Sequence, residues 1–192
     1  MIIVPPTREE ATGHVAEMYE KDLASDGFVF SHTQAMALNP EAHEAFEALV
    51  RAIVRSIGVR TYELATLGAA RGVPSPHCLL AHGRKTLQAD ALTEEQLELV
   101  ALDYRNAGLD EADVAVMRYA ERLSTDAASM TDADSQSLRD QGFDDRQILD
   151  ITLAAAIRNY YSRALQALAV PVEEVSGLSP ELNAALLSPV KA

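Results

Sequence analysis

Helix starts punctuate this chain at short intervals, and that punctuation narrows the fold more than any other feature. Thr7-Arg8-Glu9-Glu10 has the form of a capping box, with Thr7 accepting from the backbone and Glu10 reaching back. Asn39-Pro40 and Ser75-Pro76 each pair an N-cap with proline at the first helical position. Thr93-Glu94-Glu95-Gln96, Asp110-Glu111-Ala112-Asp113, Thr131-Asp132-Ala133-Asp134 and Asp144-Asp145-Arg146-Gln147 open further helices, and Ser179-Pro180 opens a short one. The segments between are helical in period. Phe46, Leu49, Val50, Ile53, Val54 and Ile57 recur at three- and four-residue steps until Gly58. A helix from about Thr61 to Arg71 follows and breaks at Gly72-Val73-Pro74. The helix opened at Asp144 runs through Ile148, Ile151, Ile157, Tyr160 and Leu165 toward Pro171. The first helix is expected to end near Leu23, with residues 25–31 as a loop around Gly27. No stretch alternates with period two, and β-branched residues do not cluster, so the class is all-α. The reading is one domain over residues 1–192, a bundle of about seven to nine helices with a looser C-terminal tail at 171–192.

Charge removes whole classes of partner. Lys plus Arg is 16 against Asp plus Glu at 29, a net charge of −13. Such a surface repels a phosphate backbone or an anionic lipid, so neither nucleic acid nor membrane is expected as a partner. No apolar run approaches the roughly 18 residues of a membrane span. The apolar start, Met1-Ile2-Ile3-Val4-Pro5-Pro6, is short and without a basic leader, so it reads as neither a signal nor a span. One cysteine cannot close an internal disulfide. A reducing cytoplasm is the expected compartment, and no cofactor is expected.

The chemistry concentrates between Glu63 and His82. A thiol (Cys78), an imidazole (His82) and a carboxylate (Glu63) are the parts of an activated thiolate. With Ser75 as N-cap, Cys78 is the third helical residue, where free backbone N–H groups and the macrodipole favour a thiolate. His82 lies one turn along the same face. The break at Gly72-Val73-Pro74 lets the preceding helix bring Glu63 to His82, where it would hold the tautomer and raise the basicity. Each residue also has a plainer reading. Cys78 suits a small buried hydrophobe, Ser75 a simple cap, and His77 a solvent-facing first-turn residue. Glu63, Cys78 and His82 make only three ligands, where structural zinc wants four, so no metal is assigned.

The run resembles the core motif of the alkylhydroperoxidase D-like proteins of the carboxymuconolactone decarboxylase superfamily. That pattern is a Glu, eleven residues, Cys-x-x-Cys, three residues and a His; Glu63, Ser75-Pro76-His77-Cys78 and His82 keep every spacing. Tyr119-Ala120-Glu121-Arg122-Leu123 through Ile148 to Leu168 looks like the branch of peroxidase-related proteins, so the likeness covers roughly residues 40 to 170. The resemblance implies that Cys78 attacks a peroxide, that His82 and Glu63 form its proton relay, and that His77 is an accessory relay position. Ser75 stands where the family has the partner cysteine that closes a disulfide. A sulfenic acid at Cys78 would then need an external thiol or dithiol. The resemblance also implies a homo-oligomer. Two further readings remain: acid–base chemistry by His82 and Glu63 on a small organic acid, and a non-catalytic helical oligomer that binds a small ligand.

Overall fold

The computed structural model describes residues 1–191, and every regular element among them is a helix. In chain order they are α1 (Gly13–Asp26), α2 (Ser31–Met36), α3 (Pro40–Gly72), α4 (Pro76–Gln88), α5 (Glu94–Asp103), α6 (Glu111–Asp126), α7 (Asp132–Arg139), α8 (Asp145–Ala167), α9 (Pro180–Leu186) and α10 (Ser188–Lys191). The caps explain most of these boundaries. Asn39 accepts from Ala42 N, Thr93 from Gln96 N, Asp110 from Asp113 N and Asp144 from Gln147 N, each satisfying an otherwise unpaired first-turn donor.

Two expectations are corrected. Thr7 and Glu10 do bond, but both the backbone N–H and the hydroxyl of Thr7 donate to the Glu10 carboxylate, closing a turn. α1 starts only after it, at Gly13, and ends on Gly27, whose φ of 79° is left-handed. The stretch 25–31 is therefore the end of α1 and a short link, and α2 begins at Ser31. Gly58 ends its helix as expected: its φ of 77° and ψ of 164° are non-helical, and α3 is two helices joined there across a kink.

α3, α6 and α8 form the centre. Leu64, Leu67, Val116, Met117, Ala120, Ile151 and Ala154 are buried together. α3 and α6 approach so closely that a Cβ on Gly68 would stand 2.6 Å from the Met117 carbonyl oxygen. Only glycine allows that approach without moving backbone. α5 and α9 close one side. The segment read as a looser tail is thus tied down: Leu182, Ala185 and Leu186 of α9 are buried in the main core. α1 and α2 lie over the open end beside α4, with Arg84 paired to Asp26 at 2.5 Å. No described helix is long and apolar enough to cross a membrane.

Candidate active site

α4 begins where α3 breaks. Ser75 has extended backbone, Pro76 takes the first helical position, and Leu79 N donates to Ser75 O at 3.0 Å. Gln166 of α8 donates to the carbonyls of Val73 and Pro74, both at 3.0 Å, and fixes the turn against that helix. Cys78 consequently faces α8. Its sulfur accepts from Ser162 Oγ at 3.0 Å and from Arg158 Nη1 at 3.6 Å. The thiol is 2% exposed and lies on the wall of a cavity of about 500 Å³.

His82 and Glu63 meet as the spacing predicts. Nδ1 of His82 lies 2.6 Å from Glu63 Oε2, and both side chains are buried. With the proton on Nδ1, the imidazole donates to the carboxylate and keeps the Nε2 lone pair free. Burial changes the expected electrostatics. It drives His82 well below its usual range, assisted by Arg158, Lys85 and His32. It pushes Glu63 up to about 7, against the pull of Lys85 and Arg158. The net direction at His82 is thus toward the neutral imidazole, set first by burial, despite the adjacent Glu63 carboxyl group expected to raise its basicity.

The remaining motif residues are placed differently. His77 Nε2 donates to the Pro171 carbonyl at 2.8 Å, and its Nδ1 is buried without a partner. Ser75 is fully buried, makes no cap bond through its side chain, and has an unpartnered Oγ. Neither is hydrogen-bonded to Cys78, and neither is His82. Tyr62 joins the two halves: its hydroxyl accepts from Arg158 Nη2 at 3.4 Å, and its ring meets the His82 ring edge-on at 6.2 Å.

Arg158 and Ser162 are the site residues absent from the motif. Burial opposes the Arg158 charge, but Cys78 and Tyr62 outweigh it and hold the guanidinium above its ordinary range. It also lies 5.5 Å over the ring of Tyr161, which lines the same cavity. A signal existed in the sequence. Ile151, Ala154, Ala155, Arg158, Ser162 and Leu165 make one buried stripe of α8, and a charged residue within such a stripe needs a partner. Tyr160, by contrast, is half exposed and faces a separate, smaller pocket.

Neither a protein-family model nor a curated protein matches the sequence. Solved structures do match. A peroxidase-related protein of Silicibacter sp. TM1040 is 26% identical, with a TM-score of 0.71 over 93% of this chain and 92% of that one. By fold, the chain belongs with the alkylhydroperoxidase D-like proteins. An alkylhydroperoxidase AhpD core from Ralstonia eutropha JMP134, also peroxidase-related, is 18% identical with a TM-score of 0.75 over 98% of this chain and 97% of that one. The debrominase Bmp8, as a Cys-to-Ala variant with 2,3,4-tribromopyrrole, has a TM-score of 0.74 at 16% identity over the same shares. At those identities the likeness is one of fold. In this alkylhydroperoxidase D-like scaffold, the α3–α4 break is what brings Cys78 and His82 to one cavity, with Glu63 bonded to His82 behind the wall.

Proposed function

We propose that the protein is a thiol-dependent, peroxidase-like oxidoreductase in which Cys78 reduces a hydroperoxide and an external thiol completes the cycle. One observation carries this reading. Among the described residues the buried guanidinium of Arg158 bonds to no carboxylate, and its Nη1 points at the Cys78 sulfur. A buried cation requires an anion, and a thiolate at Cys78 is the anion within reach. Ser162 supplies a second donor to the same sulfur.

The step balances as follows. The neutral His82 takes the thiol proton, through water because the two side chains are not bonded directly. The thiolate attacks the outer oxygen of ROOH; the S–O bond forms as O–O breaks, giving Cys78–SOH and RO⁻. The imidazolium returns its proton to RO⁻, and ROH leaves. Cys78 is the only cysteine and Ser75 cannot act as a thiol, so an external thiol condenses with the sulfenic acid and releases water. A second thiol then restores Cys78 and leaves as a disulfide. Association into a homo-oligomer belongs to the same reading and is supported by exposed Leu99, Leu102 and Leu149; light scattering tests it.

The test is mass spectrometry after one equivalent of cumene hydroperoxide, with dimedone to trap the sulfenic acid. A rapid Cys78 adduct that is lost in Arg158→Met supports the proposal; an unmodified Cys78 refutes it. Because a debrominase shares the fold, halogenated heteroarenes belong in the same substrate screen.

A second reading rests on a different observation. The His82–Glu63 pair stands apart from the thiol, and the cations Lys85 and Arg158, both of which act on Glu63, line the cavity wall beside His82. Such a wall suits proton chemistry on a small carboxylate. Cys78→Ser would abolish peroxide turnover and leave that chemistry standing.

A further inference from the structure

We propose that the mouth of the cavity holds a second site, for a divalent transition-metal ion of the zinc class, built from His14, His43 and Glu47. One ligand atom from each of these residues lies within 4.8 Å of the others, the single such group among the described residues. The residues come from two helices. His43 and Glu47 are four apart on α3 and so share a face, while His14 comes from the first turn of α1. His14 Nε2 and His43 Nδ1 are 3.1 Å apart. Two nitrogens about 2.0–2.1 Å from one ion, at an angle near 100°, have roughly that separation. In the absence of an ion, the same two atoms share one hydrogen bond.

The surroundings are those of a metal-binding histidine. His14 Nδ1 stands 3.4 Å from Glu17 Oε2 and 3.7 Å from Glu44 Oε1. A proton held on Nδ1 by these carboxylates leaves the Nε2 lone pair for the ion, an arrangement that orients metal-ligating imidazoles generally. Glu47 is free to turn inward: its pairs with Lys21 and Arg51 are long, at 4.0 and 3.7 Å. Lys21 opposes a cation here, but Glu17, Glu44 and Glu47 outnumber it. Imidazole and carboxylate together suit zinc, cobalt or nickel, and three protein ligands leave a coordination position open. His14, His43 and Glu47 line the same cavity as Cys78, so an ion would also tie α1 across its mouth.

The test is a titration of the full-length protein with Co²⁺, followed by visible absorbance, with Zn²⁺ competition and a thermal-shift measurement. One equivalent of Co²⁺ should bind, Zn²⁺ should displace it, and the melting temperature should rise. His43→Gln should abolish all three effects, and Glu47→Gln should reproduce the loss; Glu47 is partly exposed, so that variant keeps its fold. Glu17→Gln should weaken binding about tenfold. Cys78→Ser should bind unchanged. Absence of binding in the wild type would overturn the proposal. So would binding that survives Glu47→Gln, or a sulfur-to-cobalt charge-transfer band that disappears in Cys78→Ser, since the metal would then sit at the thiol.

Discussion

The thiol and the imidazole of this site are one turn apart on α4, yet they are set up by different parts of the chain. His82 takes its partner, Glu63, from the adjacent helix α3. Cys78 takes both of its donors, Arg158 and Ser162, from α8, some eighty residues downstream. The two settings are also opposite in charge. At His82, burial favours a neutral imidazole beside a carboxyl group that titrates near 7. At Cys78, the charged group is the buried guanidinium of Arg158, whose Nη1 stands 3.6 Å from the sulfur. In the proposed reaction, holding the thiolate and moving its proton are therefore separate tasks, and Tyr62 touches both halves.

The largest expected effect comes from removing the sulfur. Cys78→Ser should reduce hydroperoxide turnover to background while the Glu63–His82 pair stays in place; turnover that persists would place the chemistry on the imidazole instead. Arg158→Met comes next. Losing a charge-assisted donor costs about 1.5–3 kcal/mol, or roughly 10- to 100-fold in the rate at which iodoacetamide or peroxide modifies Cys78. Removing one partner of a buried pair leaves the other uncompensated, so the melting temperature is read alongside, and a rate loss at a preserved melting temperature separates this effect from unfolding. An unchanged rate would show that Arg158 serves another anion. Ser162→Ala removes a neutral donor worth about 1 kcal/mol and should slow the same modification roughly fivefold.

This division also marks where the sequence is legible. Caps and apolar periodicity place most helices within a residue or two, because first-turn donors and burial are local demands. Glu63 and His82 are legible for the same reason: a helix, a glycine–proline break and a second helix fix their meeting. Arg158 and Ser162 are legible only as polar residues within the apolar stripe of α8; their partner is not, because it depends on how α8 packs against α4, a contact between residues far apart in the chain. The effect of burial escapes as well. Spacing brings a carboxylate to an imidazole, but only the depth of the core decides that the pair is desolvated. The Thr7 turn fails for a smaller reason, since Glu10 captures both of its donors and leaves no cap for α1.

The smallest effect is the most specific to the imidazole side, and it lies in the pH dependence of stability. Glu63 titrates near 7 in the folded protein and near 4.5 when exposed. The stability this group contributes is full below about pH 4.5 and declines as pH rises toward 7, since the folded state holds the proton longer. His82 is lowered in the folded protein from its ordinary 6.5. Its contribution is present above that value and is lost as pH falls below it, because the unfolded state then binds the proton. Between about pH 4.5 and 6.5 the two slopes oppose, each by up to about 1.4 kcal/mol per pH unit. Urea unfolding at about pH 5 and pH 7 separates them. Relative to wild type, Glu63→Gln should gain stability with rising pH, whereas His82→Gln should lose it. Variants that tilt in the same direction would mean that Glu63 and His82 do not titrate as an opposed pair.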